Sequence, residues 1–116
     1  MTEKGKYLMQ VNEAFARNDV ANILESVTDD IRWHVVGDQI VEGKDAFHKI
    51  LQQMAADEPM TLTVGKIITH GREASVNGTM KSPDGKTYAF CDLYSFNGQK
   101  NLKIKEMTSY VIELKE

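Results

Sequence analysis

Four long segments in the second half of the chain alternate apolar and polar residues, and this pattern constrains the fold more than any other feature. The segments lie near residues 61–70, 73–82, 86–97 and 102–114. Short sequences rich in Gly, Pro, Asn and Asp separate them and are typical of turns. Because strands joined by short turns pair with their neighbours, the segments predict a four-stranded antiparallel meander.

The first half of the chain has the residue spacing of amphipathic helices. Apolar residues recur at helical spacing over residues 4–17, which predicts a first helix. Asp19 is a good N-cap for a short second helix that ends at a turn over residues 28–30. Gly43 opens a third helix, and its pattern ends at residues 57–59 because a proline there blocks continuation.

A short strand pair is predicted between the second and third helices. Alternation over residues 31–36 predicts a strand with Trp33 and Val35 on one face and His34 on the other. A second short strand, around residues 39–41, pairs back across a glycine turn. Helices followed by a mostly antiparallel sheet give the fold class α+β.

Length, charge and cysteine content limit the classes of protein and partner. The 116 residues predict a single domain over residues 1–116, whose helices and sheet share one core. With 14 basic and 17 acidic residues, the chain lacks the basic excess of nucleic-acid-binding proteins. The single cysteine cannot close an intramolecular disulfide, and no stretch approaches the length of a membrane span. We therefore expect a cytoplasmic, soluble protein with no nucleic-acid or membrane partner.

Asp92 is the first candidate for a functional residue. Alternation places it on the same strand face as the rings of Tyr88, Phe90, Tyr94 and Phe96. Removing a carboxylate from water is costly unless it is paired, hydrogen-bonded or protonated. Asp92 is therefore either part of a satisfied polar network or the acid of a ligand pocket, and the sequence leaves both alternatives open.

The last strand offers two further candidates. Tyr110 and Glu106 share strand parity with Ile104, so we expect them to face the same side as the neighbours of Asp92 or to flank it across the sheet. A second carboxylate beside Asp92 would raise one of the two pKa values towards a range useful for acid or base chemistry. The alternative is that Glu106 pairs with a lysine such as Lys103.

The opposite face of these strands predicts an interface between two copies of the chain. A moderately apolar patch there indicates a dimer surface. Its cysteine is better explained as a small buried apolar residue than as a nucleophile, because no partner base is evident. The predicted patch consists of Ala89, Cys91, Leu93, Met107 and Val111.

Three stretches, in their order and spacing, carry a family resemblance. They are Asn18-Asp19 through Thr28-Asp29-Asp30-Ile31-Arg32-Trp33, then Glu42-Gly43-Lys44-Asp45-Ala46-Phe47, and finally Asp92-Leu93-Tyr94-Ser95-Phe96 leading to Lys103-Ile104-Lys105-Glu106-Met107 and Tyr110. The chain resembles the NTF2-like superfamily in its SnoaL-like branch. That resemblance implies a curved sheet wrapped around three helices, a conical pocket, and often a homodimer through the outer sheet face. Members with known activities include ketosteroid isomerases, polyketide cyclases, dehydratases and epoxide hydrolases.

The resemblance to ketosteroid isomerase can be followed position by position. Asp92 matches the protonated aspartate that donates a hydrogen bond to the substrate oxygen in that family. Val35 occupies the position of the general base and Val11 that of the oxyanion-hole tyrosine. Neither valine can move a proton, so the isomerase mechanism is not supported. A register slip of one residue would bring His34 near the base position, whereas its strand parity points it away from the cavity.

Together these features predict a protein that binds a small, largely apolar organic molecule in a conical pocket. If it is an enzyme, the expected chemistry is a cofactor-free proton transfer of the isomerase, cyclase or dehydratase type. The alternatives are a non-catalytic ligand-binding or accessory protein and a structural homodimer with a filled pocket. We expect no metal and no cofactor. The predicted pocket residues are Asp92 as the acid, with Val11, Trp33, Val35, Phe47, Tyr88, Phe90, Tyr94 and Tyr110 around it and His34 and Glu106 as further polar partners.

Overall fold

Three helices and six strands make up the computed structural model, which describes residues 1–54, 58–98 and 102–115. The four long strands lie within two residues of the segments predicted from alternation. In chain order the elements are α1 (Glu3–Arg17), α2 (Val20–Glu25), β1 (Val27–Val35), β2 (Gln39–Glu42), α3 (Lys44–Met54), β3 (Thr61–His70), β4 (Glu73–Lys81), β5 (Thr87–Phe96) and β6 (Ile104–Leu114).

Capping residues define the ends of α1 and α2. The Thr2 hydroxyl accepts a hydrogen bond from the Gly5 N–H at 3.0 Å and so starts α1. Asn18 ends α1 in the left-handed region, at φ 61°. The Asp19 carboxylate accepts a hydrogen bond from the Asn22 N–H at 3.3 Å. The predicted N-cap of α2 is therefore confirmed.

The six strands form one curved, unclosed sheet in the order β2-β1-β6-β5-β4-β3. Neighbouring strands are antiparallel except β1 and β6, which run parallel. The β3 to β6 meander expected from the sequence is therefore one continuous part of a larger sheet. The predicted α+β class, with three helices and a curved, mostly antiparallel sheet, is confirmed.

Register shifts bend this sheet and give it a concave face. In the β3–β4 pair Gly65 is the extra residue, and in the β5–β6 pair it is Lys105. An extra residue on one strand bends that strand and increases its twist. A Cβ atom at Gly78 would overlap the backbone carbonyl oxygen of Thr63 on the adjacent strand, so the close approach at this bend requires glycine.

The core lies between the concave face of the sheet and the three helices. Trp33 on β1 contacts the ring of Phe15 from α1 at a centroid distance of 5.8 Å and the ring of Phe47 from α3 at 5.6 Å. Both contacts are edge-to-face, a preferred geometry for aromatic pairs. These contacts join two helices to the sheet.

The start of β1 corrects one expectation from the sequence. The strand begins at Val27 and not at Ile31, so residues 28–30 belong to the strand and do not form a turn. Val27 pairs with Ile104 of β6 and is only 2% exposed. The register shifts between Val27 and Arg32, and within this stretch Val27 and Ile31 are buried while the acidic residues Asp29 and Asp30 are exposed.

Two expectations are tested only in part by the described residues. The third helix runs over Lys44–Met54, directly after Gly43, and its predicted end at residue 57 lies outside the described residues. Within the described part of the chain, no helix has the length and apolar character needed to cross a membrane. The cytoplasmic location and the single-domain organisation stay predictions.

Candidate functional site

A cavity of about 440 Å³ lies between the concave face of the sheet and the helices. Apolar and aromatic side chains dominate its wall, and none of the described residues that line it is Lys, Arg or His. Such a wall suits a neutral, largely apolar molecule. The apolar and aromatic lining residues are Phe15, Val20, Ile23, Trp33, Val35, Ile50, Leu51, Met54, Met60, Met80, Tyr88, Phe90, Tyr94, Met107 and Val111, and the polar ones are Asn12, Asn18, Asp38, Gln39, Gln53, Asp92 and Ser109.

Asp92 lies in the middle of β5 and faces this cavity. Its neighbour on β4 is Val76 and its neighbour on β6 is Ser109. Phe90 and Tyr94, two residues to either side on the same strand, also line the cavity. The alternation of β5 therefore places a half-buried carboxyl group among aromatic rings.

One side of the Asp92 carboxyl group is held through Tyr94 and Asn12. The Tyr94 hydroxyl donates to Asp92 Oδ2 at 3.1 Å. Asn12 Nδ2 donates to the Tyr94 oxygen at 3.2 Å and to the Leu8 backbone carbonyl at 2.9 Å. Because a backbone carbonyl only accepts, the Leu8 contact fixes the orientation of the Asn12 amide. The hydrogen of the Tyr94 hydroxyl is thereby directed at Asp92.

The other side of the carboxyl group is held through Ser109 and Trp33. The Ser109 hydroxyl hydrogen-bonds to Asp92 from the adjacent strand. Trp33 Nε1 donates to Ser109 Oγ at 2.9 Å. An indole N–H can only donate, so the Ser109 oxygen is the acceptor in that bond and its own hydrogen is free to point at Asp92. Asp92 thus receives two hydroxyl hydrogen bonds, each oriented by a buried N–H group.

Burial raises the pKa of Asp92 above the usual aspartate value, and the hydrogen bonds from Ser109 and Tyr94 offset part of that increase. The three ion pairs among the described residues lie elsewhere and leave Asp92 without a paired cation. Burial, followed by the charge of Asp92, also raises the pKa of Tyr94 well above that of an ordinary phenol. Tyr94 therefore remains a hydrogen-bond donor, while Asp92 holds its proton to higher pH than an exposed aspartate.

Six of the residues predicted to line the pocket lie at the cavity wall, and two lie in the core. Val11 is 3% exposed and Phe47 is fully buried, and neither lines this cavity. Phe47 stands behind Trp33, and Val11 points from α1 towards a second pocket, of about 460 Å³, which is bordered by α2. Sequence spacing identified both as inward-facing but could not separate the cavity wall from the layer behind it. The six residues at the wall are Trp33, Val35, Tyr88, Phe90, Asp92 and Tyr94.

The structure corrects the expected orientation of β6. Glu106 and Tyr110 lie on the outer face, where they pair with Ser95 and Cys91, and both are exposed. The extra residue, Lys105, reverses the strand parity after Ile104, so residues that share parity with Ile104 point outwards. For the same reason Met107 and Val111, which were expected in the outer patch, line the cavity.

In the part of the chain that the structure describes, histidine and metal-ligand groups do not come together at the cavity. His34 lies on the outer face of β1, half-buried between Ile40 on β2 and Thr108 on β6. This placement agrees with its strand parity and not with a register slip that would bring it near the base position. Among the described residues, no group of three or more His, Cys, Asp or Glu side chains is arranged to hold a metal ion.

Sequence reasoning missed Asn12 and Ser109, the two residues that complete the polar end of the cavity. Asn12 follows Leu8 by four residues and precedes Phe15 by three, so it is a polar residue on the apolar stripe of α1. That signal was readable. Ser109 was not, because its position opposite Asp92 depends on the extra residue in β6.

Comparison with known protein families finds a match that covers most of the chain. The profile of the SnoaL-like domain matches residues 9–107, a range that contains Asn12, Asp92 and most of the cavity wall. A comparison with curated proteins finds no match.

Solved structures with the same arrangement of helices and strands include proteins with and without a stated activity. An NTF2-like protein of unknown function from Cytophaga hutchinsonii ATCC 33406 is 24% identical, with a TM-score of 0.73 over 93% of this chain and 98% of that chain. A protein assigned as a ketosteroid isomerase from Kribbella flavida DSM 17836 is 13% identical, with a TM-score of 0.78 over 97% and 79%. An LEH-like epoxide hydrolase from M. tuberculosis is 16% identical, with a TM-score of 0.71 over 94% and 85%. At these identities the similarity shows the fold alone.

Proposed function

This chain belongs to the SnoaL-like domain family, as its sequence resemblance predicted, and we propose that it binds a small, largely apolar organic molecule in the cavity, with Asp92 as the main polar contact. One observation carries the proposal: a carboxyl group of raised pKa faces an apolar cavity of about 440 Å³. A cavity of this volume falls within the range of about 300 to 1,000 Å³ typical of small-molecule sites.

The volume of the cavity and the charges of its lining residues limit the kind of ligand that it can bind. At about 30 Å³ for each non-hydrogen atom, the volume of a water molecule in the liquid, the cavity holds roughly 15 such atoms. The described lining residues include no cationic side chain, while Asp92 and Asp38 are acidic. An anionic ligand would therefore be desolvated without a compensating charge. A neutral molecule of one or two rings fits both constraints.

A proton-transfer step is the catalytic form of this proposal. A carboxyl group whose pKa is raised exchanges protons closer to neutral pH than an exposed aspartate does. In this form Asp92 takes a proton from, or gives one to, a carbon next to a carbonyl group. The non-catalytic alternative has its own support. The hydroxyl hydrogen bonds from Tyr94 and Ser109 fix the position of the Asp92 carboxyl group, as expected of an acid that orients a ligand.

Binding can be tested with 2-tetralone, a neutral bicyclic ketone, and a pair of variants on adjacent residues. In Val35→Phe the larger side chain enters the cavity, and we expect the dissociation constant to rise at least about tenfold, equivalent to about 1.4 kcal/mol. In His34→Phe the same side chain is placed on the outer face, so binding should match the wild type. Calorimetric titration that detects no wild-type binding, or equal binding to Val35→Phe, contradicts the proposal.

Deuterium exchange separates the catalytic form from the non-catalytic one. In D₂O, a proton-transfer enzyme accelerates replacement of the hydrogens next to the ketone of 2-tetralone, which NMR follows directly. Asp92→Asn keeps the size of the side chain and removes the titrating group, so acceleration should disappear. Acceleration that survives in Asp92→Asn rules out Asp92 as the acid or base. Binding without acceleration in the wild type supports the ligand-orienting form.

We also propose that two copies associate through the outer face of the sheet. On this face Leu93, Tyr110 and Ile112 are 45%, 46% and 67% exposed on neighbouring strands. Contiguous exposed apolar side chains of this kind are typical of interfaces. Sedimentation equilibrium should show a dimer that Ile112→Lys dissociates and that Gln52→Lys, exposed on α3 in the helix layer, leaves intact. A monomeric wild type contradicts this part of the proposal.

A further inference from the structure

We propose that Asn12 makes the cavity selective for a ligand with a hydroxyl group. In this arrangement the ligand hydrogen is accepted by the Asn12 amide oxygen, and the ligand oxygen is held by the Asp92 carboxyl group. The inference rests on the proposed function and names the chemical class of ligand for the same site. Asn12 acts here as a specificity-determining residue.

The donors of Asn12 are fully used by the protein. An amide nitrogen carries two hydrogens. Asn12 Nδ2 directs one to the Leu8 carbonyl oxygen at 2.9 Å and the other to the Tyr94 oxygen at 3.2 Å. Because the Leu8 carbonyl cannot donate, an inverted amide would lose this hydrogen bond and place two acceptors against each other. Asn12 can therefore offer a ligand only its oxygen.

The Asn12 amide oxygen faces the cavity and has no protein partner among the described residues. Asn12 lines the cavity and is 2% exposed, so its small accessible area lies there. Among the described residues, every side-chain nitrogen or oxygen that is shut off from water-sized space has a hydrogen-bond partner. An Asn12 oxygen without a partner must consequently reach the cavity space. A buried acceptor in this position favours a ligand that supplies a donor.

Tyr94 places this acceptor next to Asp92. The Tyr94 oxygen lies 3.2 Å from Asn12 Nδ2 and 3.1 Å from Asp92 Oδ2, so the amide and the carboxyl group flank the same phenol. The Tyr94 hydroxyl itself is occupied, since it accepts from Asn12 and donates to Asp92. When Asp92 carries its proton, a single ligand hydroxyl can satisfy both neighbours, because the amide oxygen accepts the ligand hydrogen and the ligand oxygen accepts from the carboxyl group. Ketone and ether oxygens lack the hydrogen and leave Asn12 unsatisfied.

The test compares two probes that share a ring system and an oxygen atom and differ in the donor. We expect the wild-type protein to bind 2-naphthol about tenfold more tightly than 2-methoxynaphthalene in calorimetric titrations. In Asn12→Leu, whose side chain has the same number and branching of heavy atoms and no acceptor, the ratio of the two dissociation constants should fall to about one. Circular dichroism reports whether this variant folds. If it does not, Asn12→Ala provides the same comparison.

A second variant separates the amide oxygen from the hydrogen-bond network around it. Tyr94→Phe removes the phenol oxygen and leaves the Asn12 oxygen in the cavity, so preference for 2-naphthol should persist. The inference is overturned if Tyr94→Phe loses the preference for 2-naphthol over 2-methoxynaphthalene. It is also overturned if Asn12→Leu keeps that preference. Equal wild-type binding of both probes overturns the inference and leaves the proposed function standing. Failure of the wild type to bind either probe overturns both.

Discussion

Side chains on the two faces of β5 differ in hydrogen bonding and in exposure to water. On the concave face, Asp92 and Tyr94 are connected by hydrogen bonds to buried groups on α1 and β6. On the outer face, Cys91 makes a single long contact of 3.7 Å with Ser75, and Leu93 is 45% exposed. Side chains on the concave face of β5 are therefore held in position by hydrogen bonds, whereas those on the outer face have few contacts that fix their orientation.

The difference follows from access to water. A polar group on the outer face can be solvated by water when no protein partner is available. A polar group on the concave face must be hydrogen-bonded, or its pKa must shift in favour of the neutral form. Asp92 does both, since it accepts two hydroxyl hydrogen bonds and has a raised pKa. The concave face is consequently where substitutions should change stability and binding most.

The largest effect is expected from truncating matched tyrosines on the two faces. Tyr94 is 2% exposed and Tyr110 is 46% exposed, on adjacent strands of the same sheet. We expect Tyr94→Ala to lower the free energy of unfolding by about 3–5 kcal/mol, because it leaves a buried cavity and removes the hydroxyl that binds Asp92. Tyr110→Ala should cost about 1 kcal/mol or less. Urea unfolding followed by circular dichroism measures both.

Equal losses in the free energy of unfolding for Tyr94→Ala and Tyr110→Ala would contradict the proposed difference between the two faces. Because Tyr110 lies in the proposed dimer surface, the measurement needs a series of protein concentrations. A loss in Tyr110→Ala that grows with protein concentration reports on association of two copies and not on the packing of one copy.

A smaller effect is expected in the pH dependence of stability. Burial raises the pKa of Asp92 above the usual 3.8 in the folded protein. The folded protein therefore holds this proton at pH values where the unfolded chain has released it. Relative to Asp92→Asn, the wild type keeps this contribution to stability below about pH 3.8 and loses it as the pH rises through the folded pKa. The total loss is about 1.36 kcal/mol for each unit of pKa shift.

Asp84 provides the control of opposite sign. Its hydrogen bond from Ser82 is the main cause that lowers its pKa, and the residue lies exposed in the turn between β4 and β5. Compared with Asp84→Asn, the wild type gains stability above the unfolded pKa and loses it as the pH falls through the folded pKa. Urea unfolding from pH 3 to pH 8 measures the stability difference between the wild type and each variant. If this difference changes with pH in the same direction for Asp92→Asn and Asp84→Asn, burial does not set the pKa of Asp92.

Most of the fold was predictable because alternation and turn residues are local signals. The boundaries of β3 and β5 follow from runs that a single face must bury, and the cap at Asp19 follows from its side-chain chemistry. The start of β1 was not predictable from those signals. Burial of Val27 against β6 depends on a parallel pairing between strands distant in sequence.

The residues of the candidate site on β1 and β5 were predictable, and those on β6 were not. Asp92 and Tyr94 lie on a strand whose alternation is unbroken, so parity assigned them to one face correctly. On β6 the extra residue Lys105 reversed the parity, and the sequence contains no turn or glycine signal at that point. Tyr110 was therefore assigned to the wrong face, and Ser109 was missed.

The smallest effect should come from Glu106, one of the predicted polar partners of Asp92. The structure places Glu106 exposed on the outer face, opposite Ser95 and on the far side of the sheet from Asp92. We expect Glu106→Gln to change the free energy of unfolding by less than about 0.5 kcal/mol. It should also leave the pH dependence attributed to Asp92 unmoved, because water screens a charge across the sheet. A shift of that pH dependence in Glu106→Gln would mean that the two carboxylates interact, and the division between the faces of β6 would then be wrong.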